Sequence, residues 1–186
     1  MAEPLLVRPL TVDDYHAMHE VGILTEEDRV ELIDGQIINK MTIGPKHIRI
    51  VNVLNEAAVL RASDLVEVSV QNSVQISLYS EPEPDIVLLR RDRDVTRVPQ
   101  AEDVLLLVEV ADASLLFDKR VKLPLYAAAR IPEVWIVNIP ERRLECYRDP
   151  TPSGYTISAN LDEHDVVEAV RVSALGTLSV SSILES

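Results

Sequence analysis

The sequence predicts an α/β fold: a mixed sheet flanked by helices, with an N-terminal helix and hairpin ahead of it. Three observations carry that reading. Residues 104–108 are five aliphatic side chains in a row, apolar on both faces, as a central strand covered on each side must be. Residues 46–61 place Ile50, Val51, Leu54, Ala57, Ala58 and Arg61 at helical spacing. Residues 28–41 set two β-rich arms about Asp34-Gly35, a dipeptide suited to a two-residue turn.

In chain order, Thr11 followed by Asp13 and Asp14 predicts a helix with a hydroxyl cap and an acidic first turn, running to about residue 20 and stopped by Gly22. The hairpin follows, and Gly44-Pro45 breaks the chain before the long helix. Residues 66–78 alternate imperfectly around Asn72-Ser73, which predicts strands with a turn or bulge. Pro82 and Pro84 bracket an extended approach to a strand at 85–89, and a charged loop separates it from the apolar strand at 104–110. A helix is expected over 118–129, but Pro124 lacks an N–H. Regular bonding must therefore start near Arg120, or the helix must be kinked. Residues 132–137 read as a strand that pairs with 144–147 across 140–143; residues 155–184 give only weak signals of short strands and turns.

The 186 residues suit a single domain spanning 1–186, and 47% apolar content is enough to build a core. With 31 Asp and Glu against 18 Lys and Arg, the net charge is −13, which argues against a nucleic-acid coat protein. The one cysteine, Cys146, excludes an internal disulfide and a Cys-based zinc site, and reads as a core or edge thiol. No signal-peptide layout opens the sequence, and no apolar run is long enough for a membrane span. A cytoplasmic protein with no membrane partner is expected.

Two acids stand where aliphatic residues belong. Glu109 ends the buried strand, and Asp85 opens the preceding one. A buried carboxylate without a partner costs several kcal/mol, so it requires a metal, a cation or a raised pKa. Together they form a candidate divalent-metal site, and oxygen donors favour Mg²⁺ or Mn²⁺ over zinc. The alternative is that both acids merely cap strand ends in water.

Lys122, four residues after Asp118, is either half of a helix pair worth roughly 0.3–0.5 kcal/mol or a cation aimed at the metal site. In the latter place it would position a water and meet charge building on a phosphate. Glu31 is a further ligand or a solvent-facing hairpin residue. His47, at the start of the long helix, is placed to touch a phosphate or is simply a helix-start residue. Gln71 either hydrogen-bonds near the site or is a core amide. His16 and His19 read as surface residues. Arg90, Arg91, Arg93 and Arg97 are interleaved with Asp92 and Asp94, as in a solvated loop. Neither a Gly-rich phosphate loop nor a G-x-S-x-G elbow occurs.

The segments 29–35, 81–85, 107–112, 118–127 and 131–137, including Glu81-Pro82-Glu83-Pro84-Asp85 and Ile131-Pro132-Glu133-Val134-Trp135, resemble the Uma2 family, also called DUF820. The resemblance covers about residues 10–180. It implies a restriction-endonuclease-like, PD-(D/E)XK nuclease fold. It further implies that Asp85 and Glu109 are the two metal-binding acids and that Glu31 completes the site. Lys122 is then the lysine, moved onto the following helix because Ala111 holds its usual place in E-x-K. Arg130 departs from the family's usual Gly.

The function expected is a Mg²⁺-dependent (or Mn²⁺-dependent) endonuclease that hydrolyses phosphodiester bonds in DNA and works as a homodimer or higher homo-oligomer. The carbonyl of Val110 adds a metal ligand, and Asp85→Ala and Lys122→Ala abolish cleavage without unfolding the chain. The alternatives are a catalytically inactive nuclease-like binding or assembly module, and a metal-dependent hydrolase of a small phosphorylated substrate.

Overall fold

The computed structural model describes residues 7–25, 27–62 and 64–185. Helix α1 (Val12–Glu20) starts at Thr11, whose hydroxyl accepts the Asp14 N–H while the Asp14 carboxylate accepts the Thr11 N–H, a reciprocal cap. Strands β1 (Val30–Ile33) and β2 (Gln36–Asn39) form the expected hairpin. Asp34 and Gly35 both have positive φ, 49° and 73°, as a turn whose twist matches its strands requires. Helix α2 (Pro45–Arg61) carries proline in its first turn, where no N–H is missed, and buries Ile50, Val51, Leu54 and Ala58 along one stripe.

The main sheet has six strands in the order β3-β4-β5-β6-β7-β8: β3 (Val66–Val70), β4 (Ile86–Arg90), β5 (Val104–Ala111), β6 (Glu133–Asn138), β7 (Arg143–Thr151) and β8 (Gly154–Leu161). Only β5 and β6 run parallel; every other pair is antiparallel. A parallel pair needs a crossover, and α3 (Leu115–Phe117), a π-helical turn (Asp118–Lys122) and α4 (Leu123–Ala128) supply it. The C-terminal part adds the hairpin of β9 (Val166–Glu168) with β10 (Thr177–Ser179), then α5 (Val180–Leu184).

Alternation along β5 sorts the core into two layers. Leu106, Val108 and Val110 face α2 and the C-terminal elements, packing with Ile86, Leu88, Trp135 and Val137. Leu107 and Ala111 face α4, packing with Val87, Leu89, Tyr126, Ile131 and Ile136. Glu109 falls in this second row, between Leu107 and Ala111, so the pleat itself points it at the crossover helix.

Three expectations change. Residues 71–78 hold isolated bridges rather than a strand, because the chain turns at Gln71 (φ 51°). The crossover helix begins at Leu115 and is wound as a π turn directly ahead of Pro124, which cannot donate to a regular four-residue ladder. Residues 154–161 are a full edge strand. No helix among the described residues is long and apolar enough to cross a membrane.

Candidate functional site

Glu109 is buried near the end of β5, and both hydrogen bonds it accepts fall on Oε1: the Tyr126 hydroxyl at 2.5 Å and Lys122 Nζ at 3.3 Å. The same ammonium stands 3.0 Å from Glu31 Oε2. Glu31, on β1, is buried, so the hairpin turns it inward and not to solvent. Its Oε2 also accepts the Glu83 N–H at 3.1 Å. Lys122 therefore ties the hairpin to the central strand, and it forms no ion pair with Asp118 within 4 Å. Asp118 is itself buried on the π turn, and its N–H donates to the Ser114 carbonyl at 2.9 Å.

Asp85 stands one residue before β4. Its Oδ2 accepts the Val110 N–H at 2.8 Å and pairs with His47 Nε2 at 3.0 Å; Oδ1 receives only a long contact, 3.4 Å, from Gln71 Nε2. His47 thus turns from the first turn of α2 onto Asp85, and its buried Nδ1 has no partner among the described residues. Gln71 is exposed at the rim and is not a core amide.

Burial pushes the Glu109 carboxyl up to about 8, against the opposing attraction of Lys122. Burial works against the Lys122 ammonium as well, but Glu109, Glu31 and Asp118 more than offset it and hold its proton well above the usual lysine range. Asp118 is raised chiefly by burial, and the Tyr126 phenol is raised well above its ordinary value for the same reason. Lys122 and Tyr126 are consequently donors across the working pH range, and Glu109 is an acid short of positive charge that keeps its proton up to about pH 8.

Asp85, Glu109, Glu31, Lys122, His47, Gln71 and Val110 all line one cleft of about 1000 Å³ between the hairpin, α1 and the end of β5. Its walls carry nine carboxylates against three permanent cations, an excess that favours a bound cation. Among the described residues, no three His, Cys, Asp or Glu side chains are grouped closely enough to cage a metal ion by themselves. The donor chemistry nonetheless fits a hard divalent ion. Glu109 Oε2 accepts no hydrogen bond among the described residues, and Asp85 Oδ1 has only the Gln71 contact. The β4–β5 register, Ile86 opposite Val108, carried two residues further sets Pro84 against Val110; Pro84 has no N–H for the Val110 carbonyl. Glu109 Oε2 and the Val110 carbonyl are thus left without a protein partner among the described residues, and Asp85 Oδ1 has only the long Gln71 contact.

His16, read from sequence as a surface residue, is half-exposed but pairs with buried Glu81 at 2.9 Å on the cleft wall. Two site groups, Tyr126 and Asp118, are not singled out by the sequence. Asp118 reads there only as a helix partner of Lys122, and Tyr126 looks like any amphipathic helix residue. The arginines of the charged loop are engaged elsewhere: Arg90 with Asp92, Arg93 with Glu67 and Arg97 with Asp103.

The family model for Uma2, described as "Putative restriction endonuclease", matches residues 12–180. Four chains of known structure match. One of them, a crystal structure from Anabaena variabilis of "a putative nuclease belonging to DUF820", aligns with a TM-score of 0.69 at 16% identity, covering 95% of this chain and 98% of that one. At that identity the likeness is one of fold. No curated protein matches the chain.

Proposed function

The chain belongs to the Uma2 family, and we propose that it is a divalent-metal-dependent nuclease that hydrolyses phosphodiester bonds in DNA. The observation that supports this most is the meeting of Asp85, Glu109 and Lys122, from three separate segments, in one acidic cleft. Asp85 and Glu109 would hold Mg²⁺ or Mn²⁺ through their spare oxygens, with the Val110 carbonyl as a third donor. Such an ion polarises a phosphate oxygen and makes bound water a stronger nucleophile.

The remaining work falls to side chains already in place. Lys122 stays an ammonium, so it donates: it orients the attacking water and faces the charge that builds on the phosphate. It does not take the water's proton. Glu31 holds Lys122 in that position. His47 acts through Asp85, keeping Oδ2 occupied so that Oδ1 faces the cleft. Gln71, exposed at the rim, is the residue placed to touch the substrate. The excess of carboxylates in the cleft repels a phosphate backbone unless bound cations neutralise it. Cutting both strands of a duplex calls for two such clefts, hence a homodimer.

Incubation of supercoiled plasmid with the purified protein tests this reading. Nicking or linearisation in millimolar Mg²⁺ or Mn²⁺, abolished by chelator and by Asp85→Asn or Glu109→Gln, is the expected result. Equal cleavage by wild type and Asp85→Asn would overturn it. DNA retention without cleavage would point instead to an inactive binding module.

A further inference from the structure

Glu109 is a long side chain with free rotation about its terminal bond, so something must decide which oxygen meets the cleft. The two bonds on Oε1 are of unequal character. Lys122 Nζ is at 3.3 Å and shares its charge with Glu31 at 3.0 Å. The Tyr126 hydroxyl is at 2.5 Å, much the shorter of the two contacts, and no second hydrogen bond from it occurs among the described residues. Its ring is only 1% exposed and sits in the layer under the sheet with Leu107, Ala111, Ile131 and Ile136, so the hydroxyl has little freedom to leave.

We infer that Tyr126 is a positioning residue for metal binding: its hydroxyl pins Oε1 of Glu109 from beneath the sheet and thereby aims Oε2 at the cleft. The inference rests on the metal-site reading above and extends it to a residue outside the donor set. Partners that orient a ligand from behind commonly matter nearly as much as the ligand, and losing one typically weakens metal binding by about 10–100-fold.

Tyr126→Phe removes the hydroxyl and keeps the ring, so packing under the sheet is preserved. Tyr155 provides the control. Its hydroxyl bonds the Ile131 carbonyl at 2.8 Å, away from the cleft, so Tyr155→Phe loses a comparable bond without touching Glu109. Mn²⁺ binding is read directly from the free-ion electron paramagnetic resonance signal, with no substrate present. The expected result is measurable binding by wild type, about 10–100-fold weaker binding by Tyr126→Phe, and unchanged binding by Tyr155→Phe. Equal affinity in wild type and Tyr126→Phe overturns the inference and leaves the metal site standing. Equal weakening in both variants also overturns it, since the effect is then general. Failure of wild type to bind Mn²⁺ removes the metal-site reading and this inference together.

Discussion

Lys122 Nζ stands 3.0 Å from Oε2 of Glu31, and both side chains are buried. Because the same ammonium reaches Glu109 at 3.3 Å, one cation bridges two acids on separate elements, the hairpin and the central strand. A buried ion pair is weak evidence of net stability, but removing one partner strands the other charges in a poor solvent.

Lys122→Met is therefore expected to lower stability by about 3–5 kcal/mol as well as removing cleavage. This burial revises the expectation from sequence that truncating Lys122 leaves the fold intact. Urea unfolding of wild type and Lys122→Met measures it. A midpoint unchanged by the substitution would mean that buried Glu31 does not depend on this lysine for its counter-charge.

The hairpin that delivers Glu31 depends on Gly35. Its φ is 73°, and a Cβ there would collide with the Pro9 side chain and lie 2.8 Å from Pro9 Cα. Gly35→Ala combines backbone strain with a backbone clash, so a loss on the order of 1–3 kcal/mol is expected. Thermal unfolding checks this; an unchanged Tm would show that the hairpin shifts without cost.

Much of this architecture is legible in the sequence because the signals are local. Asp34-Gly35 specifies its turn by dihedral preference, residues 104–108 specify a doubly covered strand, and Asp85 and Glu109 stand out as charges inside apolar context. What escapes is non-local. That one ammonium serves Glu31 and Glu109 together depends on how the hairpin docks, which no periodicity encodes. Tyr126 carries no signal in sequence, since a tyrosine among Leu125, Ala127 and Ala128 is an ordinary helix residue until the pleat of β5 sets Glu109 above it. The π turn follows from Pro124, whose constraint is readable, although the form of the relief is not. Strand β8 gives a weak signal because its half-exposed edge position accepts polar residues, here Thr156, Ser158 and Asn160, in place of a clear apolar run.

Cys146 is 2% exposed on β7, and burial pushes its thiol up to about 12. Thiolate, the reactive form, is thus scarce and shielded. A colorimetric disulfide reagent is expected to leave the native chain unlabelled and to react fully in concentrated urea. Rapid labelling under native conditions would show that β7 separates readily from its neighbours in the sheet.

Stability without metal should fall as pH rises, and the cause is Glu109. Burial raises its carboxyl from the ordinary 4.5 to about 8. Between those values the folded chain keeps a proton that the unfolded chain has released, so raising the pH favours unfolding across that window. A divalent ion on Glu109 supplies the positive charge that the proton otherwise supplies, and its binding expels that proton. The stabilisation conferred by Mn²⁺ should therefore grow across the same window. Urea midpoints near the two ends of the window, with chelator and with millimolar Mn²⁺, measure both slopes. Glu109→Gln cannot ionise, so its chelator series should lose the part of the decline that Glu109 causes. An identical decline in wild type and Glu109→Gln would place the titrating group elsewhere, with buried Asp118, also raised by burial, the next to substitute.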